Sequence, residues 1–493
     1  MSASVRSLAS QTVVYGLSSI VPRFLNFLLV PLYTYVFKPA EYGVVADLYS
    51  WAVLLNIVVT YGMETAVFRY TKYEKNEISA FSTAFYSVLL TSSIFLLLVL
   101  LNASKLAVVL GYPGNGRYVL YFALIIALDA VSAILFVKLR IDEKPLNFSM
   151  IKISSVVANI LFNLLFLIVF PLIFNRLSIR YEVSVEYVFV ANLIASVLSF
   201  ALLANNIPSA NNFNFSLLWA MLLYGFPLML SGIVGAINDV IDRQFIKYFS
   251  PKGVDSLSAL GIYFANLKLA VILVLFVQAF RYAAEPFFFR HANDRSGVES
   301  FARVAVFYLL VSMSVFLFTY ANLPIFKYFI GTAYWTGLSI VPVVLLANVF
   351  AGLYLNFSMW YKLVDKTYIG LLIMLGGCLF TIVFDLFFVP VYGYQAAAVV
   401  RLLSYVLMTI LCYILGQRYY PIPYKLGVMF KYFYSAMLVF GIQYFITINF
   451  NNTIVLILNN FLLMIFVLYY IRAEKLLNVL KEELWSIKLR LKL

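Results

Sequence analysis

Charge is what this chain has least of. Lys, Arg, Asp and Glu make up 11% of its 493 residues, against 64% hydrophobic residues. Soluble globules average roughly 25% charged residues, so the composition is that of an integral membrane protein, in keeping with a mean hydropathy of +0.96. Cysteine is nearly absent too. Cys378 and Cys412 both sit in apolar runs, which excludes a disulfide framework or a CxxC site and leaves them as packing residues. Histidine is reduced to His291 in a polar loop, so neither a histidine metal centre nor a Ser/His/Asp triad can be assembled. No polar stretch of domain size separates the apolar runs. A soluble catalytic domain is thereby excluded, and function must reside in the bundle itself. The net charge of +14 does not point to nucleic acid, because the cations lie in short segments beside hydrophobic runs, where they act as topology signals.

What is present is a succession of apolar runs, each long enough for the ~20 residues a span requires. They predict fourteen helices at 11–37, 42–64, 81–103, 118–138, 148–174, 187–205, 217–239, 258–281, 301–322, 337–361, 367–388, 394–416, 426–448 and 453–471. The first is too long for a signal-peptide core and is expected to be retained. Placing both termini in the cytoplasm puts 23 cations inside and 9 outside, which is the bias expected of that orientation. Three cations, Arg23, Lys268 and Arg401, stay within spans. An offset of 222 residues pairs Arg140 with Lys362, Glu143 with Asp365, Lys144 with Lys366 and Asn163 with Asp385. Six spans lie between the copies, so the repeat is parallel, about an axis along the membrane normal. The expected organisation is an all-α bundle of two six-helix lobes, 1–206 and 207–418, then two helices in 419–472. The segment 473–493 reads as a cationic amphipathic tail on the inner leaflet.

Polar residues inside the spans carry the functional argument. Arg23 lies near the middle of the first run, with Ser19 four positions before it and Asn26 three after, on one helical face. An arginine at that depth costs several kcal/mol unless it lines a wet cavity or has a partner, here an anionic substrate or a carboxylate on a neighbouring helix. The seventh span repeats the pattern with Ser231, Gly235, Asn238 and Asp242 on one face, as cavity lining or as helix packing. Asp129, at the middle of the fourth span, is either a proton or cation site or the fixed counter-ion of a cation such as Arg23. Asp242 and Asp385 lie nearer the outer surface and read first as solvated groups, with ion coupling or counter-ion as their functional roles. Lys268 and Arg401 either snorkel outward or join Arg23 in a cationic chamber. Glu64 and Arg69 read as an interfacial pair.

The stretch LVPLYTYVFKPAEYG (Leu29 to Gly43) and then GMETAVFRY (Gly62 to Tyr70) resembles the opening of the bacterial polysaccharide flippases of the Wzx type. These belong to the MOP superfamily with the lipid II flippase MurJ and the MATE exporters. Asp242 to Lys268 and Gln278 to Pro286 resemble that family's seventh and eighth helices and the loop after them. The resemblance covers essentially the whole chain, and the order and spacing of its motifs carry it. It implies a V-shaped bundle moving an undecaprenyl-pyrophosphate-linked oligosaccharide across the bacterial inner membrane by alternating access, for O-antigen or similar surface polysaccharide. The family's arginine in the first helix falls on Arg23 and its basic position in the eighth on Lys268. Leu54, Leu55 and Asn56 stand where the lipid II branch has a cation, which argues against lipid II.

Substrate binding is therefore expected at Arg23, Asn26, Asn238, Lys268 and Arg401, and ion coupling or counter-ion roles at Asp129, Asp242 and Asp385. No cofactor is expected, with an H+ or Na+ gradient as the candidate energy source. The expected partners are the lipid-linked oligosaccharide, membrane lipids, and polymerase and glycosyltransferases of the same pathway. A polytopic polymerase or ligase is the enzymatic alternative, and it would carry a long external loop that this chain lacks. A MATE-like exporter is the alternative within the fold, and it would show an excess of cavity carboxylates.

Overall fold

A computed structural model describes residues 20–73, 77–290 and 295–473. Ser19, His291 and the tail from 474 lie outside the described residues. Twelve helices among those described are long and apolar enough to cross a membrane, and a bent pair makes a thirteenth. A shorter apolar helix, α1 (Ile20–Val36), precedes them, and in chain order they are α2 (Pro39–Thr71), α3 (Ile78–Val109), α4 (Gly116–Ile141), α5 (Pro145–Arg176), α6 (Glu186–Asn206) and α7 (Phe215–Phe249). The bent pair is α8a (Ser256–Leu269) and α8b (Val271–Tyr282), at 55°. Then come α9 (Val298–Ala321), α10 (Thr332–Leu363), α11 (Thr367–Tyr392), α12 (Tyr394–Tyr419), α13 (Leu426–Asn449) and α14 (Asn452–Arg472). Each matches one predicted run, in order, and the fold is an all-helical membrane bundle.

The helices begin and break where local chemistry requires. At α2, Pro39 occupies the first turn, where a missing N–H costs nothing, and the Lys38 N–H donates to Glu41 Oε2 at 2.8 Å. The same helix breaks at Tyr61 and Gly62, both at positive φ (34° and 76°). In α5 the backbone widens into a π turn over Leu165–Val169, just before Pro171. The Asn214 side chain caps α7 by accepting from Leu217 N–H at 3.1 Å, and Pro227 lies within that helix.

The chain packs as two compact units. Of the described residues, one holds those within 1–268 and 371–404, the other those within 269–370 and 405–493. In the first, α4 packs on α2, α3 and α6, α5 packs on α6, and α7 lies along α2. Two glycines bring α2 very close to α8a: a Cβ at Gly43 would sit 2.0 Å from the Leu257 carbonyl oxygen, and one at Gly261 1.9 Å from that of Pro39. In the second unit, α9 packs on α10, α13 and α14. Tyr308 donates to the Val349 carbonyl at 3.2 Å there, over Gly352, whose missing side chain makes its room. Cys378 and Cys412 are buried, as packing residues should be.

The two loops at the 222-residue offset fold alike. Glu143 and Asp365 both take positive φ (51° and 55°). The Lys144 N–H reaches back to Leu139 O at 2.9 Å, and the Lys366 N–H to Tyr361 O at 2.8 Å, the same spacing in each loop. Gly261→Leu is expected to abolish the yield of monodisperse protein in size-exclusion chromatography. Gly427→Leu, where nothing lies within 4 Å of the new Cβ, should be tolerated and serves as the control.

Candidate functional site

A polar cavity of about 390 Å³ opens within the first unit, walled by α1, α2, α4, α5 and α6. Asn26, Asn56, Asn159 and Asn192 supply amides, and Ser132, Ser155, Ser196 and Ser199 hydroxyls. Glu64, Asp129, Arg140 and Lys152 supply two charges of each sign. Asp129 is exposed to this space, with Lys152 acting on its charge. Both cations rest on rings: Lys152 Nζ is 4.2 Å from the Phe136 centroid and the Arg140 guanidinium 5.0 Å from that of Phe148. Several wall residues are held in place by hydrogen bonds within the protein. Asn192 donates to Tyr49 Oη at 2.7 Å, Ser155 to the Ala195 carbonyl at 3.0 Å, and Asn163 to the Asn159 carbonyl at 2.8 Å. Tyr33 donates to Asn163 Oδ1 at 3.0 Å, tying α1 to α5.

Asn26 lies on this cavity, as does Pro22, while Arg23 between them has an exposed side chain off its wall. Glu64 faces the cavity and Arg69 stacks 4.3 Å from the Tyr224 centroid, so the interfacial pair expected of them gives way to two separate engagements.

A second polar group runs along α7. Asp242 is 1% exposed, and its Oδ2 accepts from Arg401 Nη1 at 3.0 Å and from Tyr263 Oη at 2.5 Å. Arg401 also donates to the Asp239 carbonyl at 3.1 Å. Asp385 is fully buried, and no hydrogen-bond donor among the described residues reaches either of its oxygens. Neither carboxylate is the solvated surface group expected from depth alone: both are buried, Asp242 beneath Arg401 and Tyr263. Arg401, with a side chain 14% exposed, is held by Asp242 instead of snorkelling outward. Asn238 is buried one turn away, and Ser231 returns its hydrogen bond to the Pro227 carbonyl. Arg243 and Lys268 approach one ring, that of Phe264, at 4.9 and 4.4 Å. Among the described residues no three His, Cys, Asp or Glu side chains gather as a metal site would need.

Sequence reasoning missed the tightest cluster of all. Asp47 on α2 is fully buried and meets Lys247 on α7, side chain 6% exposed, at 2.5 Å. Tyr112 donates to Asp47 Oδ2 at 2.7 Å, Gln244 to Oδ1 at 2.9 Å, and Lys247 also reaches the Leu110 carbonyl at 2.7 Å. The available signal was a carboxylate well inside the second apolar run, three residues before Ser50, which itself accepts from Arg243 Nη1 at 3.1 Å. Lys247→Met leaves a buried carboxylate unpaired and should cost about 3–5 kcal/mol. The paired change Asp47→Leu with Lys247→Met should recover most of that loss. Thermal unfolding of the single and double variants checks both expectations.

Comparison with known proteins bears on the fold and the family. The lipid II flippase MurJ in its inward closed conformation superposes with a TM-score of 0.70 at 15% identity, over 94% of this chain and 99% of that one. A multidrug MATE transporter of the MOP superfamily in an inward-facing conformation gives 0.61 at 12% identity, over 83% and 94%. A Vibrio cholerae MATE transporter gives 0.54 at 15% identity, over 85% and 98%. No curated protein matches the chain. The family model described as polysaccharide biosynthesis protein matches residues 8–292, more than half the chain. The chain therefore belongs to the polysaccharide biosynthesis protein family, as the resemblance to Wzx-type flippases implied, and folds as the MOP transporters do.

Proposed function

We propose that this protein is a flippase that carries an undecaprenyl-pyrophosphate-linked oligosaccharide across the bacterial inner membrane, for O-antigen or similar surface polysaccharide. The observation that carries the reading is a polar cavity of about 390 Å³ enclosed by apolar helices in a member of a polysaccharide biosynthesis family. Such a cavity shelters a hydrophilic head group while an acyl or prenyl tail stays in lipid, which is the physical problem a lipid flippase must solve. The head group's charge is met by Arg23 and Lys268. Arg401, already held by Asp242, acts instead as an internal counter-ion. Asn26 and Asn238 complete the substrate contacts. Transport proceeds by alternating access of the lobes 1–206 and 207–418, with both termini in the cytoplasm. The two helices in 419–472 and the tail 473–493 are appended to these lobes.

Coupling to an H+ or Na+ gradient is assigned to the carboxylates Asp129, Asp242 and Asp385. No cofactor takes part, and no covalent chemistry is required of the chain. Glycosyltransferases that build the lipid-linked unit and a polymerase that consumes it are the partners this role implies.

Proteoliposomes holding the full chain and a fluorescent undecaprenyl-pyrophosphoryl oligosaccharide test the reading. Leaflet exchange should exceed that of protein-free vesicles by an order of magnitude, and equal rates would refute the function. Arg23→Ala should lose exchange while the protein stays in the membrane at normal levels. Asp129→Asn should retain exchange but lose its dependence on an imposed ion gradient. Gradient dependence that survives the change would reduce Asp129 to a structural counter-ion.

A further inference from the structure

We infer that the cavity of the first unit is a carbohydrate subsite: it takes uncharged, hydroxyl- and amide-bearing sugar of the transported head group and excludes its phosphates. The inference rests on the reading of the chain as a carrier of lipid-linked oligosaccharide, and it divides that head group into two parts with separate homes.

Charge balance is the first ground. Glu64 and Asp129 face Arg140 and Lys152 across the same space, and each cation already lies over an aromatic ring. A diphosphate placed there would find its attraction to two cations offset by repulsion from two carboxylates, in a region of low dielectric where neither is well screened. An uncharged polyol meets no such penalty. It gains from a wall of fixed donors and acceptors.

Hydrogen-bonding capacity is the second ground. Asn26 is exposed on the cavity wall, and Asn159 and Asn192 are part-exposed there. A sugar hydroxyl both donates and accepts, and it suits an amide oxygen and an amide N–H at once. The volume of about 390 Å³ falls within the range of small-ligand sites. The phosphates have a better address on α8a. Lys268 lies over Phe264 with no carboxylate pairing it among the described residues.

The test is protection from alkylation. Ser155→Cys puts a thiol on the wall, and the two native cysteines are buried, so the new one dominates labelling by a maleimide in the purified full chain. N-Acetylglucosamine should slow labelling roughly threefold or more, and inorganic pyrophosphate at equal concentration and ionic strength should not. Should Ser155→Cys fail to fold, Asn159→Cys reports on the same wall. Protection by pyrophosphate equal to or greater than that by sugar overturns the inference, and so does the absence of protection by sugar. Because labelling requires no lipid movement, exchange in vesicles without sugar protection removes the subsite alone. Sugar protection without exchange removes the flippase reading and leaves a carbohydrate site.

Discussion

A charge carried into a membrane must find its opposite inside the protein, and the first unit is arranged around that requirement. At a separation of 2.5 Å, Asp47 and Lys247 attract each other strongly in a medium of low dielectric, yet each has also lost its water. The Coulomb term alone does not secure such a pair. Tyr112, Gln244 and the Leu110 carbonyl supply the remaining hydrogen bonds, so every charged atom of the pair has a polar neighbour. Asp242 meets the same demand with Arg401 and Tyr263. Both networks draw on α7, which makes that helix the spine to which α2, α8a and the start of α12 are bound.

Such pairs form only if backbones come close enough, and glycine sets that distance. Gly43 faces the Leu257 carbonyl and Gly261 faces that of Pro39, while Gly62 meets Gly225 where a Cβ would lie 2.5 Å from the carbonyl oxygen. Without side chains at these crossings, α2 lies against α7 and α8a, and Asp47 and Ser50 reach Lys247 and Arg243. Small residues at membrane helix interfaces are ordinarily explained by van der Waals packing. Here they also let short polar side chains span the gap between helices, a reach that an Asp or Ser has only at close approach.

The count and order of the helices were legible because apolar length is a one-dimensional signal. Their ends were not. The seventh span was expected to stop near residue 239, yet α7 continues to Phe249, because Asp242, Gln244 and Lys247 are paired and buried instead of solvated. Hydropathy treats a charge as a reason to leave the membrane and has no means of seeing the partner that lets it stay. The same blindness hid the pairing of Asp47 with Lys247. Periodicity put Arg23 and Asn26 on one face of α1, but it could not place the cavity edge between them. The loop pattern at 140–144 and 362–366 was legible for a different reason: a positive φ at its fourth, acidic position is a local property of backbone and sequence, and Glu143 and Asp365 share it.

The breaks in the helices follow from the same rule of satisfaction. A backbone group released in lipid costs several kcal/mol, so a helix can be interrupted only where something nearby takes up its hydrogen bonds. Next to the break at Tyr61 and Gly62, Thr60 donates its hydroxyl to the Asn56 carbonyl at 2.8 Å. One turn before the bend in α8, Asn266 donates to the Ile262 carbonyl at 2.8 Å. Both of these helices carry near the break a polar side chain bonded to their own backbone, and both bear residues of the polar sites, Asn56 and Glu64 on α2 and Lys268 on α8a. An irregular backbone and a polar cavity are two consequences of one arrangement. Where the bundle admits hydrogen-bonding groups at membrane depth, it can also bend, and a carrier of a hydrophilic head group requires both in the same helices.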